Sequence, residues 1–301
     1  MGPGGNSIEI VIDRFLSAEN WDEPHPDMDI EESYGVIVAT LADLVAVLAK
    51  AEAEGCASDE FAGLASVARR ILVRAPALVN VLLNYKICAE HGLPFHPTVY
   101  YELAEARRYN YPHPIDEIEG SNRLYRESID LARAAYRLVS DFPVRARAFA
   151  ARLPSELSGF VYTGACDKYT WRGTEPAKVE RLVRLVTREK TPDLIVAAAH
   201  GSIMPGLLLA EYLDRPLYFV RFSMFKRQDL APIVSFADEA WLSAWAGGSV
   251  LLFDEDVAGG TTLTRFAERL SPLFREAKTA CVIRHAGASI RPDYVGQVWY
   301  D

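Results

Sequence analysis

One stretch constrains this chain more than any other: Val250-Leu251-Leu252-Phe253-Asp254-Glu255-Asp256-Val257-Ala258-Gly259-Gly260-Thr261-Thr262-Leu263. An apolar strand ends in three consecutive acids, passes a loop of small residues and enters a helix. Gly259 and Gly260 permit backbone shapes that point successive N–H groups inward, and Thr261 and Thr262 add hydroxyl donors at a helix N-terminus. That combination is a phosphate cradle. Acids directly before it repel a bare phosphate, so the ligand must also carry something that acids bind, such as a sugar diol or a metal ion. A sugar phosphate meets both demands. The alternative is a tight strand-to-helix turn with solvated acids. No Gly-Lys-Ser/Thr follows the glycines and no G-x-G-x-x-G is present, so neither a Walker loop nor a dinucleotide fingerprint fits.

The rest of the chain divides near residue 153. Up to there the pattern is helical, after a short strand expected at Ile8–Ile12. Acids at Asp29 to Glu32 mark a first turn, and Val36, Leu41, Leu44, Val45 and Leu48 recur at helical spacing until Gly55. A second helix is capped by Ser58, with Pro76 separating it from a third, Ala77 to Ala89. Further helices are expected at Val99 to Arg108, from Ile115 or Ser121 to Ser140, and after Pro143. Beyond Leu153, β-rich runs alternate with amphipathic helices, the signature of a parallel sheet with crossovers. The strands are Gly159–Thr163, Asp193–Ala198, Leu217–Val220, Ser249–Phe253 and Thr279–Ile283. Helices fall at Glu175–Arg188, up to Leu213, and at Thr262–Glu276. The expectation is therefore a mainly helical domain over 1–153 and an α/β domain over 154–301.

Charge and cysteine usage narrow the partners. Lys plus Arg number 32 against 41 Asp plus Glu, a formal charge of −9, which argues against nucleic acid as a partner. Cys56, Cys88, Cys166 and Cys281 are far apart with no C-x-x-C, indicating neither a zinc site nor a disulfide framework and fitting a reducing cytoplasm. The N-terminal stretch lacks a basic and an apolar signal region. Tyr34 to Ala49 carries Asp43 and falls short of the roughly 20 residues a membrane span needs, so it reads as a buried helix and no membrane partner is expected. His91, His96 and His113, with Glu90, Asp116 and Glu117, match no helix-borne metal spacing. Tyr100, Tyr101, Arg107, Arg108, Tyr109 and Tyr111 suit an acceptor pocket or a subunit interface.

The acid-glycine-threonine segment resembles the 5-phosphoribosyl-1-pyrophosphate (PRPP) motif of type I phosphoribosyltransferases, and the resemblance covers about residues 155 to 301. It implies a parallel sheet flanked by helices. It also implies that Asp254 and Glu255 hold the ribose hydroxyls and an Mg²⁺ ion, and that Ala258, Gly259, Gly260, Thr261 and Thr262 cradle the 5′-phosphate. Ala199, His200, Gly201 and Ser202 look like the family's pyrophosphate loop, and Arg221 like its basic residue facing pyrophosphate. Lys226 and Arg227 fall in the mobile hood loop of similar enzymes. The tail Arg291-Pro292-Asp293-Tyr294-Val295-Gly296-Gln297-Val298-Trp299 resembles the segment beside the base in 6-oxopurine enzymes, with Tyr294 or Trp299 stacking on it; ordinary core packing explains these aromatics as well. Two positions depart from the pattern. Asp256 stands where the family usually has an apolar residue, and Ala258 where purine-salvage members often carry an Asp. What the resemblance implies is transfer of the phosphoribosyl group from PRPP to a purine-like, nitrogenous acceptor, with release of pyrophosphate, by a homodimer. The alternative is a PRPP- or nucleotide-sensing protein that keeps the cradle without the chemistry.

Overall fold

The computed structural model describes residues 12–55, 61–224 and 228–300. Strand β1 (Ile30–Ser33) precedes helices α1 (Tyr34–Glu54), α2 (Phe61–His91), α3 (Ala106–Tyr109), α4 (Ile115–Tyr136), α5 (Phe142–Ala150) and α6 (Ser155–Ser158). After β2 (Val161–Gly164) come α7 (Lys168–Gly173), α8 (Pro176–Glu189), β3 (Leu194–Ala199), α9 (Ile203–Leu213), β4 (Leu217–Arg221) and α10 (Phe236–Ser243). The chain continues through β5 (Ser249–Val257), α11 (Thr261–Leu270), β6 (Glu276–His285) and β7 (Tyr294–Trp299).

Five strands form a parallel sheet in the order β4-β3-β5-β6-β7, so the expected α/β architecture with a helical N-terminal part is what the chain adopts. Burial follows position. β3 and β4 are buried at every residue, as strands covered on both faces must be. Amphipathic α8 packs against β6 and β7, and α11 against β5. Helix α9 is apolar but for Glu211, which is buried against Arg133 of α4, and has Leu207, Leu208 and Leu209 fully buried, because the sheet lies on one side and α2 and α4 on the other.

Several expectations need correction. Residues Ile30 to Ser33 do not open α1; they pair antiparallel with β2, Ile30 opposite Gly164, and the helix starts at Tyr34. Pro76 does not separate two helices but sits inside α2. Proline removes the N–H that would bond the carbonyl four residues back, and the Tyr136 hydroxyl donates to that carbonyl, Leu72 O, at 2.9 Å instead. The region Val99 to Arg108 is helical only from Leu103. Strand β5 runs on through all three acids, and the tail forms a strand, β7, that the sequence pattern did not single out. Helix α1 has 21 residues. It and α2 are each long and apolar enough, by length and composition, to cross a membrane, and 44% and 89% of their apolar windows are buried within the protein.

The expected boundary at 153/154 is bridged in two ways. β2 pairs with β1 rather than with the parallel sheet, and one contiguous core includes Leu41, Leu82 and Tyr125 together with Phe219 and Leu252. The strand expected at Ile8–Ile12, all but its last residue, and the Ser58 cap and Cys56 lie outside the described residues.

Candidate active site

In a parallel sheet the strand C-termini share one edge, and ligands sit where the strand order reverses. Here β3 leads on to β4 on one side while β5, β6 and β7 extend to the other, so that point falls between β3 and β5. A cavity of about 430 Å³ opens there. Asp254, Glu255 and Asp256 from the end of β5, Ala258 and Thr262 from the bend after it, and Ala198, His200 and Gly201 from the end of β3 line it. Gly259 and Gly260 form the bend itself, and Thr261 opens α11. Thus the segments expected to hold ribose, phosphate and pyrophosphate are brought to one place.

Two glycines make this geometry possible. Gly260 has φ +99° and caps α11, and a Cβ on it would lie 2.5 Å from Ile290 Cγ1. A Cβ on Gly201 would lie 1.8 Å from Glu255 Oε1. The Glu255 carboxylate therefore rests on the loop after β3. Ser202 ties the two segments together. Its hydroxyl is 2.6 Å from Glu255 Oε2 and 3.2 Å from Asp254 Oδ1, and it accepts the Glu255 backbone N–H at 3.0 Å. Ser289 fixes the bend by donating its hydroxyl to Gly259 O at 2.7 Å.

Three neighbouring acids in a buried place resist losing their protons. Burial, and then the charge of Glu255, push Asp254 well above the usual carboxylate range, and burial raises Glu255 as well. Asp256 is pushed up to about 6 by burial, opposed by His285, whose Nε2 is 3.2 Å from its Oδ1. Such a pair of carboxylates invites hydroxyl donors or a cation. Among the described residues no group of three or more His, Cys, Asp or Glu is arranged to hold a metal ion. Two carboxylates are nonetheless the donor set that suits Mg²⁺ when substrate phosphates complete its shell.

Other expected site residues lie elsewhere. Arg221 does not face the cavity. Its guanidinium is buried against Asp229 (3.2 Å), Glu102 (3.1 Å) and the Tyr101 carbonyl (3.4 Å), because Asp229 folds back over the end of β4. Tyr294 and Trp299 open and close β7, and neither lines the cavity. Tyr294, at the opposite edge of the sheet from the cavity, donates its hydroxyl to Glu189 at 2.6 Å. The Trp299 ring lies under Arg172, 4.9 Å away, and does not line the cavity. Lys226 and Arg227 lie outside the described residues. The sequence reading missed Asp167 and Tyr169, which close the cavity from α7. Asp167 caps that helix, accepting from the N–H groups of Tyr169 and Thr170 at 2.9 and 3.1 Å, and Asp-Lys-Tyr-Thr is a readable helix start.

A crevice at the switch point of a parallel sheet flanked by helices, lined by paired acids and the start of a glycine-threonine bend, defines the class as an α/β protein with its candidate site at the strand C-termini. No family model and no curated protein sequence matches the chain. Among solved structures it is similar to a purine phosphoribosyltransferase from Pyrococcus horikoshii OT3, at 23% identity over 42% of this chain and 86% of that one, TM-score 0.34. It is also similar to a Staphylococcus aureus hypoxanthine phosphoribosyltransferase, at 19% identity over 42% and 73%, TM-score 0.34. A Helicobacter pylori xanthine-guanine-hypoxanthine phosphoribosyltransferase matches at 16% identity over 42% and 83%, TM-score 0.32.

Proposed function

We propose that the chain is a PRPP-dependent phosphoribosyltransferase that passes the 5-phosphoribosyl group to a nitrogenous heteroaromatic acceptor and releases pyrophosphate. One observation carries this reading: Asp254 and Glu255, the bend that includes Ala258 and Thr262, and the His200–Gly201 loop line a single cavity. The bend takes the 5′-phosphate on backbone N–H groups and threonine hydroxyls. Asp254 and Glu255 accept the ribose hydroxyls, whose donation together with Mg²⁺ would favour the charged forms that burial opposes in the empty site, and such charge-assisted bonds are roughly twice as strong as neutral ones. That holds the ring while positive charge develops at C1′, which two carboxylates stabilise. Asp254 and Glu255 would also hold Mg²⁺, which supplies neutralisation of the pyrophosphate charge. Orientation does the rest, since the acceptor nitrogen needs only to meet C1′ on the side opposite the leaving group.

Calorimetry with PRPP and Mg²⁺, coupled to pyrophosphate release over a panel of purine-like bases, tests this. Binding and release with at least one base are expected, and no binding overturns the reading. A second reading, a PRPP-binding protein without transfer, is favoured by Ala258, which puts no carboxylate on the bend, and by Arg221, which is held away from the cavity. Binding without release for every base would select it.

A further inference from the structure

The cavity at the strand ends has two unlike sides. On one, the His200–Gly201 loop after β3 and Phe222, Ser223 and Met224 after β4 form the wall; on the other stand Asp256, near the end of β5, and Tyr169 of α7. Strand order separates the two, because β3 and β4 lie to one side of β5 and β6 to the other. Asp256 meets the end of β6, where His285 brings Nε2 to 3.2 Å from Oδ1 and 3.3 Å from Oδ2. The Tyr169 ring, 43% exposed, borders the same corner, its centroid 6.3 Å from that of His285. In the proposed transfer the pyrophosphate leaves over the His200–Gly201 loop. The acceptor then enters from the opposite side, which is the side of Asp256 and Tyr169.

The charge of the cavity selects among acceptors. Asp167, Asp254, Glu255 and Asp256 line it, and among the described residues no Lys or Arg does. Lys168 lies over the Tyr169 ring, 5.0 Å from its centroid, and is not part of the lining. The phosphates of PRPP bring Mg²⁺ and meet backbone N–H groups; an acceptor brings neither. A ring that carries a carboxylate is therefore repelled. A ring that carries an amino group finds the reverse. The His285 Nε2–H donates to the Asp256 carboxylate and holds it in place, and a carboxylate has about four lone-pair sites, so one histidine donor leaves capacity for a ligand N–H. Tyr169 adds a flat aromatic wall. A plain ion pair at the end of the sheet would make the same Asp256–His285 contact, and it would show no preference among acceptors.

We infer that Asp256, held by His285, sets acceptor specificity: it accepts a hydrogen bond from an amino group on an uncharged ring bordered by Tyr169, and it excludes rings that carry a carboxylate. This assignment rests on the proposed function and narrows its acceptor.

Nucleoside 5′-monophosphates fill the cradle and the acceptor side together, and without pyrophosphate they do not undergo the reverse transfer. Calorimetry on the full chain with Mg²⁺ compares two pairs that differ by one amino group: adenosine against purine riboside monophosphate, and guanosine against inosine monophosphate. Orotidine monophosphate is the carboxylate-bearing probe. In at least one pair the amino member should bind about tenfold or more tighter, the scale of one hydrogen bond to a charged group. Orotidine monophosphate should bind about a hundredfold or more weaker than the tightest ligand, as like charges brought together demand. Asp256→Leu should bring the discriminating pair close to equal affinity. Asp256→Asn, which keeps the shape without the charge, should narrow the preference and let orotidine monophosphate bind more tightly, with circular dichroism checking both folds. No preference for the amino member in either pair, orotidine monophosphate binding as tightly as the amino members, or a preference undiminished in both folded variants overturns the assignment. If neither variant folds, the pairs on the unaltered chain decide. PRPP binding without any amino preference defeats this assignment alone; failure of PRPP to bind defeats the proposed function and the assignment with it.

Discussion

Asp254 sits in a place that disfavours its charged form, buried beside Glu255, with the Ser202 hydroxyl and the Glu255 N–H each 3.2 Å from its Oδ1. Asp254→Asn keeps the shape and removes that penalty. The variant should melt no lower than the parent in a thermal scan, yet lose at least about a hundredfold in kcat/KM for pyrophosphate release, because the charged hold on the ribose is gone. Asp256 gives a pH signature. Its folded value, raised from 3.8 to about 6, means that the native chain keeps a proton the unfolded chain has lost. Its contribution to stability is full below about pH 4 and falls as pH rises through about 6, by roughly 2–3 kcal/mol. Urea melts between pH 4 and 7 should show that decline, and Asp256→Asn should flatten it. Gly201→Ala should push the Glu255 carboxylate off the loop, since the new methyl would meet Oε1 at 1.8 Å. Calorimetry should then find PRPP binding weakened tenfold or more, with the melting temperature little changed because a flexible side-chain end absorbs the clash. The acids and the bend were legible in the sequence because adjacent residues of fixed chemistry on a strand end keep their spacing. The partner Ser202 hydroxyl was not, since only the fold decides that it faces both carboxylates 52 and 53 residues away.

At the scale of elements, periodicity served the parallel sheet well and failed where tertiary partners decide. The β3 and β4 runs are apolar at nearly every position, which only a strand covered on both faces sustains. Ile30 to Ser33 carry acids that read as a helix start, but β2 supplies a pairing edge that no local pattern announces. Tyr294 or Trp299 looked like a ring-stacking residue because each stands in a short motif; hydrogen bonding to β6 draws that motif into a strand that leaves both outside the cavity lining. Pro76 is the strongest local breaker in the helical half, and α2 runs through it with the Tyr136 hydroxyl bonding Leu72 O, the carbonyl that the proline leaves without its N–H donor. Tyr136→Phe leaves a buried carbonyl with neither proline nor tyrosine to satisfy it. Chemical denaturation should report a loss of about 1–3 kcal/mol.

On the scale of the molecule, the pattern changes near residue 153, and one contiguous core nevertheless runs across that point. Composition reports the period of each segment; it does not say what covers the segment's faces. The helix Ile203–Leu213 carries that missing information, because it has no exposed polar face and even its one charged residue, Glu211, is buried against Arg133, so it needs cover on both sides. α2 and α4 provide it, and α4 also closes the free edge of the sheet: the Tyr125 hydroxyl donates to Phe219 O and accepts the Phe219 N–H at 3.1 Å. Polar contacts cross the same surface. Lys86 of α2, fully buried, lies 2.6 Å from Glu90 and 3.0 Å from Asp238 of α10, and 3.3 Å from the Ser235 hydroxyl. Removing the ammonium with Lys86→Met strands two buried carboxylates, a change that typically costs about 3–5 kcal/mol. If the halves form one cooperative unit, that loss appears in both at once. Hydrogen exchange should show amides of α2 and of β3 opening with the same free energy in the parent and falling together in the variant. A fragment of residues 154–301 should lack a cooperative thermal transition, having lost β1, the cover of α9 and the edge contact of Tyr125. Independent melting of that fragment, or a fall in α2 protection that leaves β3 untouched, would mean that two domains meet at residue 153 after all.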